Sequence, residues 1–535
     1  MSGVGGGADM GATINEDLTR VGDFNLSKVV IINHLGDEFP IPFGGVLAEL
    51  NIYEDIEHNA VTGTAHIVDS YNIISNAELH GNERLVFKLT TPGRPGHIQD
   101  SVDASLKTGY PFHIFAIKNR KQISETTVTY QLHFCSHDMM RNTRIRINKA
   151  FTGNLGEMAA DILKDKDGLN TKKPVFFEPT RNSDTIVIPN LRPFDALNLI
   201  STKALSGNAK GAGYFFYETA KGFHFRSYEN MLGYLSTETR EPVRIFKYFP
   251  TALGGDLSSR RHEVHKTAVE SYSFSRNFDT LSNQALGTYA NQVITYNIFD
   301  KAYSVANYDY HREYGQMLHT DRITQDRRTY HNFPMPDSPV DHEPKEQRNS
   351  GDKTVSDYPE SRVILQPSTR YLHGDNTGTF GTANENEGLT EGIRISQRNQ
   401  VKNGAVLKLI VAGTSELQAG EVIRFDYPRM EPNKGGSAEY AFDPKYSGRY
   451  MIKRLRHRLV RGNYRLVLEC IKDGVNQSFS SMRNEEYPIN PPQERGIKNL
   501  YQMEDVMKEV EDDLGSVSKI FSRGSPPNTI THIRT

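Results

Sequence analysis

One short run, QLHFCSHD, carries the side chains that a metal ion would seek: His133, Cys135, His137 and Asp138. On a β-strand alternate side chains point the same way, so His133, Cys135 and His137 share a face. A zinc site takes four nitrogen or sulfur ligands in a tetrahedron. The sequence offers no partner to complete that set, so the run reads as histidines at a strand end. No metal site is assigned. Cys135 and Cys470, the only 2 cysteines, lie in strand-like runs far apart and read as buried, reduced thiols. The acidic runs Glu54-Asp55 and Glu511-Asp512-Asp513 read as solvated surface. Two basic clusters stand out: Arg141, Arg144, Arg146 and Lys149, then Lys453, Arg454, Arg456, His457, Arg458 and Arg461. Each reads either as a solvated edge that discourages strand-on-strand aggregation or as a rim for an acidic partner surface.

The larger catalytic signatures are absent. The chain has no GxxxxGK[ST], no GxGxxG after a strand, no HExxH, no GxSxG and no CxxC. It has no Trp, so a sugar-stacking platform would fall to its 26 Tyr. The sequence therefore nominates no catalytic residue, no cofactor-binding residue and no metal ligand. With 535 residues it should hold three to four domains. A net charge of −2 gives no global pull towards nucleic acid or anionic lipid. Hydrophobic residues make up 37%, a globular composition, and no run approaches the roughly 20 apolar residues that cross a bilayer. The glycine-rich start lacks the basic and apolar regions of a signal peptide, so a soluble protein made in the cytoplasm is expected.

The elements follow from periodicity. Residues 1–23 read as a flexible arm. Residues 24–147 alternate with a period of two: Val46, Ala48, Leu50 and Ile52; Val61, Ala65 and Ile67; Leu85, Phe87 and Leu89; Val128, Tyr130, Leu132 and Phe134. Short alternating strands of this kind make an antiparallel sandwich or barrel, broken by the loop TTPGRPGHIQD. Residues 148–261 switch to α+β. Leu155, Met158, Ala159, Ile162 and Leu163 mark a helix with Asn154 and Glu157 in capping-box positions. The strand DTIVIPN, a proline-started helix at Pro193 and an aromatic hairpin turning near Gly222 follow. A second β-barrel is expected from 262–299 and 391–475, with an Asn403-Gly404 hairpin and a Gly462-Asn463 turn. Between them, 300–390 reads as a long polar excursion with a helix near 300–322. Residues 476–535 form a linker and an amphipathic helix with Leu500, Met503, Val506, Met507, Val510 and Leu514 on one stripe. A lone helix of that length is marginal in water, so it must dock on its own chain or on a partner. The fold class is mainly β: two antiparallel β-barrel domains flanking a helix-plus-hairpin domain, with a helical tail.

Two stretches carry a resemblance. The unit IPNLRPFDALNLISTKA…GYFFYETAKGFHFRS and the closing run LKLIVAGTSELQAGEVIRFDYP, DPKYSGRYMIKRLRHRL and YRLVLECIKD together resemble the baseplate hub proteins of contractile-tailed, T-even-type phages. The resemblance covers about Phe24–Gly474 and rests on packing patterns, so no catalytic residue transfers. It implies a structural virion protein that needs no cofactor: a homotrimer whose two similar barrels per chain match a six-fold tail tube to a three-fold central spike. It further implies baseplate wedge and tape-measure partners, DNA passing the lumen without specific binding, no membrane insertion, and assembly in the host cytoplasm. The excursion and the tail depart from the family pattern and are expected to contact wedge, spike or tape-measure proteins. A tail-associated cell-wall hydrolase or carbohydrate-binding protein is the competing reading, and a β-rich adhesin a weaker third.

Overall fold

The computed structural model describes residues 24–91, 101–107, 110–207, 210–232, 234–235, 238–239, 244–248, 267–298, 301–314, 316–321, 330–331, 355–368, 387–428, 442–443, 445–460 and 462–475. The arm 1–23, the loop TTPGRPGHIQD beyond Thr91 up to its closing Asp100, and the tail 476–535 lie outside them.

The first β-module contains β1 (Asn25–Leu26), β2 (Val30–Ile32), β3 (Glu38–Pro40), β4 (Leu47–Asp55), β5 (Thr62–Asp69), α1 (Ile73–Asn76), β6 (Arg84–Val86), β7 (Lys88–Thr90), β8 (Ser101–Asp103), β9 (Phe112–Gln122) and β10 (Val128–Ser136). The period-two residues Val61, Ala65, Ile67, Leu85, Phe87, Leu89, Tyr130, Leu132 and Phe134 are all buried. At β4 the alternation slips: a register shift between Leu47 and Glu49 buries Leu47 beside Val46 and leaves Ala48 half-buried. A bulge admits one extra residue and resets the faces. The run ERLVFKLTT serves two sheets, because β6 pairs with β2 and β9 while β7 pairs with β1 and β8.

The α+β insertion contains α2 (His137–Asn142), β11 (Ile147–Asn154), α3 (Leu155–Lys164), β12 (Val175–Phe177), β13 (Ser183–Leu191), α4 (Pro193–Ser201), β14 (Tyr214–Thr219), β15 (Gly222–Ser227) and α5 (Tyr228–Met231). Asn154 caps α3, its Oδ1 accepting from the Gly156 N–H at 3.0 Å. The same oxygen accepts from the Thr180 N–H at 3.1 Å, tying the cap to the next loop. Pro193 opens α4, and the Phe194 N–H donates to Asn142 Oδ1 at 2.9 Å. The hairpin turns at Ala220–Lys221, and Gly222 sits at φ +148° with Pro174 O only 2.3 Å from where a Cβ would stand. Leu155, Ile162, Phe194, Leu197, Phe216 and Phe223 belong to a core of their own.

The remaining elements are β16 (Tyr234–Leu235), β17 (Glu238–Thr239), β18 (Arg244–Lys247), β19 (Val269–Arg276), α6 (Thr280–Ala285), β20 (Ala290–Asn297), β21 (Ala302–Asp309), α7 (Tyr310–Tyr314), β22 (Tyr330–His331), β23 (Val363–Pro367), α8 (Glu387–Asn403), β24 (Ala405–Ala412), β25 (Val422–Asp426), β26 (Gly448–Val460), β27 (Asn463–Lys472) and β28 (Gly474–Val475). Four expectations are corrected here. The described residues within 300–322 hold β21 and the five-residue α7, not one helix. β20, expected in the second barrel, instead forms a separate three-stranded sheet with β21 and β23, two strands drawn from the polar excursion. RISQRNQV is helical, so Asn403-Gly404 closes α8 instead of turning a hairpin, and the Gly404 N–H donates to Gln400 O at 2.8 Å. The helical period is present, with Ile393, Gln397, Gln400 and Val401 all buried, but half of that face is polar and an apolar count misses it. Asn-Gly serves a helix end as readily as a hairpin. At the last hairpin, Asn463 already pairs with Val460, one residue earlier than expected, and Gly462 takes φ +83°.

The protein is mainly β. Thirteen strands form one sheet whose main path runs β19-β24-β27-β26-β4-β5-β10-β9-β6-β2-β3, with β25 pairing both β26 and β18. Within it a topology repeats. In the first module β4, β5, β9 and β10 lie in the order β4-β5-β10-β9, with β6 on the outer side of β9. In the second, β19, β24, β26 and β27 lie in the order β19-β24-β27-β26, with β25 on the outer side of β26. β2 pairs with β6 antiparallel, whereas its counterpart β18 pairs with β25 parallel. The three-stranded sheet and α8 fall between β19 and β24, inside the second copy of the repeat. One hydrophobic core runs through both modules, from Ile31, Leu50 and Leu132 to Leu409, Ile452 and Leu468.

Candidate functional site: the seam between the two modules

The modules meet where β4 lies antiparallel to the second half of β26, in register from Arg454 opposite Asp55 to Val460 opposite Glu49. The first half of β26 is occupied by β25. Like charges two residues apart on a strand share a face. Arg454, Arg456 and Arg458 on β26 therefore meet Glu49, Asn51 and Asp55 on β4. Arg454 Nε reaches Asp55 Oδ2 at 2.7 Å, and its other nitrogens reach Glu57 and Glu469 at 3.4 and 3.5 Å. Arg456 donates to Asn51 Oδ1 at 2.9 Å and to Glu49 Oε1 at 3.0 Å. Arg458 Nε reaches the same Glu49 oxygen at 3.2 Å. Lys453 Nζ lies 2.9 Å from the same Glu57 oxygen and 3.1 Å from Val401 O.

Both readings of this second basic cluster are therefore overturned for its described members. Arg456 and Lys453 are each only 5% exposed, and the charge is matched within the chain. Burial works against the ionised forms of Glu49 and Asp55. Arg458 and Arg456 nevertheless hold Glu49 below the usual carboxylate range, and the hydrogen bond from His58 together with the Arg454 charge does the same for Asp55. The first cluster stays superficial: Arg144 and Arg146 donate to Met140 O and Asn190 O from exposed positions, and Lys149 pairs with Asp165 at 3.5 Å. Arg461 lies outside the described residues.

Glu54, expected at the surface, is 1% exposed. Its Oε1 accepts from the Ala220 N–H of the hairpin tip at 2.7 Å, and its Oε2 from the Ala419 N–H of the second module at 3.0 Å. One carboxyl on β4 thus ties three units together. Burial pushes it up to about 7, against the two backbone hydrogen bonds. The hairpin adds further ties. Lys221 Nζ donates to Glu416 O at 2.9 Å, Thr219 to Gln418 Oε1 at 2.8 Å, and Glu218 Oε2 accepts from the Val61 N–H at 2.9 Å. Glu218 also contacts Lys173, whose ammonium is buried; Glu218 and Asp138 hold it charged despite that burial. Sequence reasoning missed Glu49, Glu54, Glu218 and Lys173. The alternating bases of β26 were the available signal, with Glu49 and Asp55 at one parity of β4 to match them.

The histidine run does not converge. β10 ends at Ser136, so His137 opens α2 and leaves the strand face. His137 Nδ1 meets His113 Nε2 at 2.8 Å instead, a partner from β9. Burial lowers His113 and His133 to about 4 and raises the Cys135 thiol to about 12, so these groups stay neutral at physiological pH. Both cysteines are buried and free. Among the described residues no three His, Cys, Asp or Glu side chains are placed to hold a metal ion, and no helix is long and apolar enough to cross a membrane. What the seam can do is mechanical: it locks two β-modules and a hairpin into one body through buried ion pairs and backbone hydrogen bonds.

No family model matches the chain, and no curated protein does. Similar solved structures include a tail protein from Neisseria meningitidis MC58, 10% identical with a TM-score of 0.42, covering 84% of this chain and 97% of that one. The 43 kDa tail protein of prophage MuSo2 from Shewanella oneidensis is 9% identical with a TM-score of 0.42, covering 84% and 98%. The prophage tail protein gp18 from Listeria monocytogenes EGD-e is 9% identical with a TM-score of 0.37, covering 85% and 97%. At these scores the likeness assigns no function and no residue correspondence.

Proposed function

We propose that this protein is a non-enzymatic virion component, a homotrimeric hub joining a six-fold tail tube to a three-fold central spike and enclosing part of the genome channel. One observation supports the reading: a five-strand order occurs twice, head to tail, and at the internal seam one copy of it meets the next. At that seam the second half of β26 accepts β4. The counterparts of these strands, β9 and β19, each leave an edge open among the described residues. β9 pairs with β6 only through Phe112 and His113, and β19 pairs only with β24. β9 carries Lys118, Arg120 and Lys121 in its second half, as β26 carries its arginines, and β19 carries Glu270. A neighbour's β19 set against β9 would repeat the internal seam between subunits. Head-to-tail contacts that close make rings, and three chains would present six modules.

Tube, spike, wedge and tape-measure proteins are then the partners, DNA passes the lumen without specific contacts, and the protein resides in the tail baseplate after assembly in the host cytoplasm. Light scattering on the purified chain over a concentration series tests the reading. A three-copy mass that Lys118→Glu combined with Arg120→Glu lowers supports it. A mass of one copy at the highest concentration, with or without a spike protein present, sinks it.

A further inference from the structure

The three-stranded sheet of β20, β21 and β23 has one covered face. α8 lies against it through glycines: a Cβ at Gly392 would stand 2.8 Å from Tyr308 Cβ, and one at Gly388 2.7 Å from Ala306 Cβ. The opposite face is exposed and apolar. Pairing places Ile294 and Tyr296 beside Val305 and Tyr303 on one side, and Leu365 beside Ile294 on the other, with Val363 next along β23. Tyr303 is 72% exposed and Leu365 73%. An antiparallel sheet facing water normally alternates to polar residues on that side. A contiguous apolar face instead marks a surface that something covers.

We propose that the chain's own residues 500–514 form a helix that docks on this face, giving the sheet a helical layer on both sides. Leu500, Met503, Val506, Met507, Val510 and Leu514 make an apolar stripe at helical spacing. The other stretches outside the described residues carry no such stripe. A helix of that length is about 22 Å long. Strands of eight residues, such as β20 and β21, run for about 26 Å. The described chain ends at Val475, two residues past Asp473, which hydrogen-bonds His319 at 3.0 Å just after α7, itself the continuation of β21. The described chain therefore ends on the α8 side of this sheet, and the stretch 476–499, spanning up to roughly 80 Å when extended, is long enough to reach round to the other face. The polar side of the segment carries Glu504, Asp505, Glu509, Glu511, Asp512 and Asp513. Lys301 and Arg362 stand exposed at the sheet margins to meet them.

The test uses the full-length chain carrying Leu365→Cys and Met507→Cys, oxidised under mild conditions, with an isotopically labelled copy mixed in. The native cysteines are buried and do not compete. A 365–507 disulfide within single chains supports the proposal. In parallel, Val506→Asp with Val510→Asp should raise amide exchange several-fold in 292–297, 302–307 and 363–367. A disulfide only between labelled and unlabelled chains would assign the face to a second copy and overturn the proposal. No disulfide, together with unchanged exchange, would overturn it in favour of another occupant. Neither result depends on the trimer, so this idea and the hub reading can fail separately.

Discussion

Glu54 makes the stability of the junction depend on pH in a calculable way. Its carboxyl ionises near 4.5 in an ordinary setting, and in the fold near 7, because burial disfavours the charged form more than the Ala220 and Ala419 N–H groups favour it. The sign follows. The folded state holds the proton more tightly, so stability is unaffected by this group below pH 4.5, falls as pH rises, and levels off above 7. The loss is about 1 kcal/mol at pH 5 and about 3 kcal/mol at pH 8, a difference of about 2–3 kcal/mol. Glu54→Gln removes the ionisation and keeps one carbonyl acceptor. It gives up the second, since its NH2 faces an N–H donor, at about 1–3 kcal/mol independent of pH. Urea unfolding of both proteins at pH 5 and pH 8 isolates the effect: the Gln variant should gain about 2–3 kcal/mol relative to wild type between the two conditions. Comparing the two proteins also cancels Glu229, which burial likewise pushes up to about 7. A relative change below about 0.5 kcal/mol would show that Glu54 stays ionised in the fold, and the account of the junction would be wrong.

Three further outcomes follow from the packing. Arg456→Ala leaves buried Asn51 Oδ1 without its donor and Glu49 with Arg458 alone, and should cost about 2–3 kcal/mol, whereas Arg458→Ala, on a side chain one-third exposed, should cost under about 1 kcal/mol; equal losses in thermal unfolding would refute a graded seam. Gly63→Ala would set a Cβ 2.2 Å from the Phe134 ring and 2.4 Å from Asn51 O, so it should lower stability by about 3 kcal/mol or more, and a variant melting with wild type would contradict the close approach of β5 to its neighbours. Cys135 and Cys470 should react with a thiol reagent only on unfolding, since burial raises both thiols; prompt labelling of the native protein would count against their placement.

Local pattern was enough for much of the fold. The period-two runs of the first module, the cap at Asn154, the proline start of α4 and the turn into Gly222 each depend on a few neighbouring residues, and each could be read from the chain. α8 was not, because its buried face uses Gln397, Gln400 and Arg394, whose burial is decided by what lies against them. β21 and β23 were hidden for a related reason. Their outward residues are apolar while the stretch between them is polar, so composition averaged over 300–390 concealed two strands. The repeat of strand order was hidden because residues 277–404 interrupt its second copy.

The seam marks the division most clearly. Sequence alone determined that β26 bears alternating bases and that β4 carries Glu49 and Asp55 at one parity, because residue types and strand parity are local properties. Only the tertiary structure decided that these stripes face each other, since Arg454 and Asp55 lie 399 residues apart along the chain. The same holds for Glu54, which is an ordinary surface carboxylate by its neighbours and a buried tie by its contacts. Charge is written in the chain, but whether a charge meets water or a partner depends on which strands pair.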